Sequence, residues 1–125
     1  MDVLTHALAG FAIGLKTGQP LTGIAFAIMP DLALGIRRKN EPNTAYRITH
    51  SIWFVLSFVW WKTAFLAVLS HIFIDIFTHG SKWNPRLFFP FDFHFSCFKE
   101  WEFGNTTYFL GLITTVLLII MLIQV

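Results

Sequence analysis

The chain has 125 residues, 55% of them hydrophobic and 18% aromatic, with only 13% charged and a formal net charge of +2. That length suits one domain, and a charge so near neutral, with no basic run longer than Arg37–Lys39, gives no footing for a nucleic-acid partner. Soluble domains carry about 25% charged residues, so this deficit, with a mean hydropathy of +0.62, predicts an integral membrane protein. Cys97 is the only cysteine, which excludes an intramolecular disulfide and leaves the redox compartment open.

The opening MDVLTHALAG has an acid and no basic run, so the first apolar segment is expected to be retained rather than cleaved as a secretory signal. It runs from about Val3 to Leu15 and stops at KTGQP, a turn signal with both Gly and Pro. Gly10 and Gly14 form a GxxxG pair that would admit a neighbouring helix closely, with ordinary helix packing as its simplest use. A second segment spans about Leu21 to Ile36, interrupted by Pro30, before the polar linker Arg37–Arg47. A third runs from about Ile48 to Trp60 and a fourth from about Thr63 to His79. A mixed aromatic stretch, Gly80–Asn105, precedes a last apolar run from about Thr106 to Val125.

Only that last run reaches the ~20 residues that span a bilayer core; the first four, at roughly 13 to 17, would be tilted or would penetrate part-way. If all five cross, Arg37, Arg38, Lys39, Arg47, Lys82, Arg86 and Lys99 fall on one side, and only Lys16 and Lys62 on the other. The excess of positive charge predicts that the first side is cytoplasmic. The expected architecture is therefore a single all-α, membrane-embedded domain over residues 1–125. It would have about five helices, residues 106–125 forming a C-terminal transmembrane helix.

The segment LSHIFIDIFTHG carries three ionisable groups at intervals of four, His71, Asp75 and His79. On a helix these fall within an arc of roughly 80°. In the same topology His6, Asp31 and His50 lie at the same end as that stripe, although successive segments alternate in direction. Ionisable groups at membrane depth are costly and usually mark function. Imidazole nitrogen with carboxylate oxygen is a donor set suited to zinc and related divalent ions. Each residue also has a plainer use. His6 would bond a backbone carbonyl, Asp31 would end a helix, His50 lies at a helix start, and His79 would favour a helix C-terminus. A mid-segment carboxylate needs a partner, and His71 is the nearest, so a purely structural His71–Asp75 pair stays open. Asp92 and His94, in PFDFHF, are second-rank candidates.

LTHALAG at the start, MPDL at 29–32, RITHS at 47–51, HIFIDIFTHG at 71–80 and LFFPF at 87–91 occur in that order. Together they resemble the YdjM-type, LexA-binding inner-membrane family of metal-dependent hydrolases. The resemblance covers most of residues 1–95. That family is distantly similar to the zinc-dependent phospholipase C and P1-type nucleases, all-α phosphoesterases whose metal cluster includes a His-x-x-x-Asp pair. The resemblance implies metal ligation by His6, Asp31, His50, His71 and Asp75, with Asp75 bridging two ions in a site of one to three zinc ions. It also implies that Asp75 and His79 serve the chemistry. Two departures count against a full cluster. The family pattern P-D-x-D has Ala33 at its second acid, and H-R-x-x-T-H-S has Ala45 and Tyr46 at its first two positions.

The expected function is metal-dependent hydrolysis of a phosphoester or other ester, with a lipid or phosphoester substrate met at the membrane surface. The protein would be a multi-pass component of the inner, cytoplasmic membrane, in contact with its lipids, with the site facing the cytoplasm. The rival reading is a non-catalytic membrane module whose structural metal or His–Asp site binds a protein partner; Ala33 and Ala45 favour it.

Overall fold

The computed structural model describes residues 3–33, 41–80 and 82–93, together with 111–113, 115–116 and 120. Among these residues the regular structure is entirely helical. Helix α1, Val3–Thr17, ends where Gly18 turns the chain with φ +75°, a conformation that glycine adopts without a Cβ penalty. The Gln19 amide donates to the Gly14 carbonyl at 2.7 Å to close the turn. Helix α2, Pro20–Leu32, starts immediately, with proline in the first turn, where its missing N–H costs nothing.

Helices α1 and α2 form a close hairpin because glycine faces glycine. A Cβ on Gly10 would run into the Gly23 carbonyl and the Ala27 methyl, and one on Gly23 would strike the Gly10 carbonyl and the Gly14 backbone. The GxxxG pair is thus a packing device inside one hairpin, its plain use. Helix α5, Lys62–Thr78, packs on both α1 and α2. The far end of this trio is held by Thr63 Oγ1 donating to Thr17 Oγ1 at 2.7 Å and Trp61 Nε1 donating to Gln19 Oε1 at 3.0 Å.

The segment expected over 48–60 holds one short helix, α4 (Ile52–Leu56), and only the end of another, α3 (Thr44–Thr49), which starts inside the stretch expected as a linker. Each has its own N-cap: Asn43 accepts from the Tyr46 amide at 2.7 Å, and Ser51 from the Phe54 amide at 3.4 Å. Asn43 starts α3 and Ser51 starts α4, and His50, the C-cap of α3, lies between the two helices. Val55 of α4 and Val68 and Ile72 of α5 form an apolar core, extended by Phe26, Met29, Phe58 and Leu87. Large apolar side chains also lie outside, Leu21 at 80% exposure and Trp60 at 96%.

The expected membrane bundle is overturned. No helix among the described residues is long and apolar enough to cross a membrane. The longest are α1, with 15 residues, and α5, with 17, against the ~20 that a bilayer core requires. The turn at Gly18–Gln19 stops α1, and the caps Trp61 and His79 bound α5. With the spanning helices go the multi-pass inner-membrane placement and the orientation with a cytoplasm-facing site. The proposed C-terminal helix, 106–125, lies mostly outside the described residues, although 111–113, 115–116 and 120 are helical.

The glycine contact makes a direct prediction. Gly23→Ala should lower stability by roughly 1–3 kcal/mol, because the added methyl meets backbone rather than a side chain that can swing away. Urea denaturation of the two proteins measures it, and an unchanged midpoint would contradict the close approach.

Candidate metal centre

The six ionisable side chains reach the centre from four parts of the fold. His6 comes from the first turns of α1, Asp31 from the last turn of α2 and His50 from the α3–α4 break. His71 and Asp75 lie one turn apart on α5, and His79 caps its C-terminus. All six are buried, Asp75, His71 and His50 at 0% exposure and His79, the most accessible, at 8%.

Asp75 is the hub, and its two oxygens face different partners. Oδ2 lies 3.1 Å from His50 Nε2 and 3.2 Å from His71 Nε2, while Oδ1 lies 3.0 Å from His6 Nε2 and 3.2 Å from His79 Nδ1. Asp31 Oδ1 completes the first group, 3.6 Å from both His50 Nε2 and His71 Nε2. The Nε2 atoms of His50 and His71 are 3.1 Å apart.

Main-chain carbonyls decide the tautomers. His71 Nδ1 bonds the Ala27 carbonyl, and His50 Nδ1 bonds the Tyr46 carbonyl at 2.9 Å. A carbonyl only accepts, so both Nδ1 atoms carry hydrogen, and in the neutral rings both Nε2 atoms are bare lone pairs. Two lone pairs at 3.1 Å repel unless a cation lies between them. Either a proton or a metal ion meets that requirement.

Several features favour a metal ion. Both oxygens of Asp31 and of Asp75 are buried without a hydrogen bond of proper geometry, despite the nearby ring nitrogens. The donor atoms therefore converge on a common space rather than pointing at one another. Asp31, His50, His71 and Asp75 each offer one ligand atom within 4.8 Å of the others. Zinc–donor bonds of about 2.0–2.1 Å place tetrahedral ligands roughly 3.3 Å apart, and the five separations around Asp75 Oδ2 and Asp31 Oδ1 run from 3.1 to 3.6 Å. Imidazole nitrogens held from behind by carbonyls are the usual outer support of such ligands. This buried Asp–His–His–Asp cluster could hold a metal ion.

Two of the sequence candidates stand differently. His6 is outside the four-donor group: it stacks on the His71 ring at 3.8 Å and touches the far oxygen of Asp75, its Nδ1 having no partner. His79 shares that far oxygen. Asp92 lies at the surface in an ion pair with Arg86 at 3.2 Å, and His94 is outside the described residues. Tyr46 was visible in the sequence only as a departure from a family pattern, yet it supports His50 from two directions. Its carbonyl takes the Nδ1 hydrogen and its ring stacks on the imidazole at 3.7 Å, while its hydroxyl donates to the Trp83 carbonyl at 3.1 Å. The position four residues before a buried histidine was the available signal. No family model, curated protein or solved structure matches the chain.

Without metal, the charges settle on His71. Burial disfavours its cationic form, but the Asp75 and Asp31 carboxylates outweigh burial and raise its pKa from 6.5 to about 10. Burial likewise opposes ionisation of Asp75, and is outweighed by the charges of His71, His6 and His79, so its pKa is held well below 3.8. Asp31 is also lowered, burial being overcome by His50 and His71. His79 is lowered by burial against the pull of Asp75.

A raised histidine pKa stabilises the fold fully below the unfolded value of 6.5, and that stabilisation is lost as pH climbs toward about 10. The lowered carboxylates stabilise above 3.8 and lose their contribution as pH falls below it. His79 acts in the opposite sense to His71, with the smaller shift. The metal-free protein should therefore melt at progressively lower temperature between pH 6.5 and 10. Zinc-loaded protein should resist that fall, since the ion takes the place of the proton. Coincident pH profiles for the two forms, followed by circular dichroism, would contradict this arrangement.

Proposed function

We propose that the protein is a metal-dependent hydrolase of phosphoesters or related esters, with one divalent ion, most suitably zinc, held by Asp31, His50, His71 and Asp75. The observation that carries this reading is a set of five donor separations, 3.1 to 3.6 Å, in a buried cluster whose four carboxylate oxygens have no hydrogen-bond partner. The motif order that resembles the YdjM-type hydrolases supports it independently of the geometry. A bound divalent ion supplies Lewis acidity, lowering the pKa of water and offsetting charge on the substrate oxygens.

The chain's own groups do the rest. Asp75 offers Oδ2 to the four-donor group and holds His6 and His79 with Oδ1. His79, whose pKa is lowered by burial, is neutral at pH 7 and able to accept a proton. It is the most accessible of the six, which suits it to take the proton from the attacking water and return it to the leaving alcohol. His6, stacked on His71, fixes the orientation of that ring.

A second reading, a structural metal site in a non-catalytic module that binds a protein partner, is favoured by the depth of the cluster, where three of the four donor residues are 0% exposed.

Metal content and turnover separate the two. Protein purified without chelator should hold about one zinc per chain by elemental analysis, and His71→Ala should lose it. The wild type should cleave bis(p-nitrophenyl) phosphate, and Asp75→Asn should lose at least 100-fold in rate, in line with the cost of removing a principal electrostatic group. Zinc binding without hydrolysis would favour the structural site, and an active Asp75→Asn protein would sink the mechanism.

A further inference from the structure

The segment following α5 is tied to the metal centre at several points. His79 lies 3.2 Å from Asp75 Oδ1. The Trp83 carbonyl accepts the Tyr46 hydroxyl at 3.1 Å, and the Trp83 ring meets edge-on the Tyr46 ring that stacks on His50. The amide of Ile52, two residues past His50, donates to the Leu87 carbonyl at 2.8 Å. Residues 83–87 therefore run alongside residues 46–52, the stretch that holds His50.

Within that strap Asn84 is only 5% exposed, and both atoms of its amide, Nδ2 and Oδ1, lack a hydrogen-bond partner. Buried polar groups are almost always satisfied, so an amide orphaned at both ends needs an explanation. On the α3 side of the same tie, one residue after Tyr46, the Nε of Arg47 is also buried without a partner. Asn Nδ2 has two hydrogens to donate and Arg Nε one, so donors prevail among these unpartnered groups. Unpartnered N–H groups, one of them on a guanidinium, match an anion with several acceptor oxygens. The Asn84 Oδ1 matches a hydroxyl on the same ligand.

We infer that Asn84, with Arg47, forms a binding subsite for a tetrahedral oxyanion, and that the substrates handled at this centre are phosphoryl compounds rather than carboxylic esters. This rests on the metal-centre reading, because the Asp31 and Asp75 carboxylates repel an anion unless a cation offsets them.

Inorganic phosphate is the probe, titrated calorimetrically into the full chain loaded with zinc, wild type beside Asn84→Ala and Arg47→Gln. Both variants keep the zinc content of the wild type. Asn84→Ala binds phosphate at least tenfold more weakly, and Arg47→Gln weakens it in the same direction. Without phosphate, Asn84→Ala melts no lower than the wild type, since the side chain removed has no partner to lose. Wild-type phosphate affinity in Asn84→Ala overturns the subsite. So does a zinc-loaded wild type that binds no phosphate, or an Asn84→Ala protein that keeps its zinc but melts well below the wild type. A wild type that takes up no zinc defeats the metal-centre reading first, and the subsite with it.

Discussion

A carboxylate at 0% exposure, surrounded by four imidazoles, organises this fold. An ionised group so deep is expensive unless it is paired. Asp75 meets that demand with partners drawn from α1, from the α3–α4 break and from both the body and the end of its own helix. Because those partners come from different elements, the three long helices and the short pair must all be in register at this end of the molecule. The apolar core of Val55, Val68 and Ile72 lies against the same α5 that carries the hub, so packing and polar pairing reinforce one another.

Main-chain groups govern the chemistry of the centre as much as the six side chains do. The Ala27 and Tyr46 carbonyls commit His71 and His50 to tautomers whose Nε2 lone pairs converge. That choice turns a polar cluster into one that requires a cation, proton or metal, between two facing nitrogens. Ala27 also lies at the glycine contact of the α1–α2 hairpin, where the Gly10 position leaves no room for a Cβ beside its methyl. The close approach of α1 and α2 and the orientation of His71 thus share one short piece of α2.

Much of the centre could be read in advance from periodicity. His71, Asp75 and His79 share one helical face whatever that helix packs against, and Pro30 followed by Asp31 marks the end of a helix. The gathering of His6 and His50 was inferred from alternating segment direction, which a hairpin of α1 and α2 also provides without any membrane. The bilayer expectation failed because composition counts apolar residues and not the length of uninterrupted helix. The third expected helix failed because Asn43 and Ser51 are both N-caps, and each cap starts a helix of its own.

The sequence by itself determined the helical class, a glycine pair on α1 that admits a close neighbour, and the polar face of α5, because local spacing dictates each of these. Only the tertiary structure decided which oxygen of Asp75 serves which histidine, that His6 stands outside the four-donor group, and that Tyr46 supports His50. It alone also revealed that the Asn84 amide is buried with no partner. Those outcomes depend on distances between residues far apart in the chain, set by how α2, α3 and the segment after α5 pack around one buried charge. No periodicity along a single segment encodes such distances.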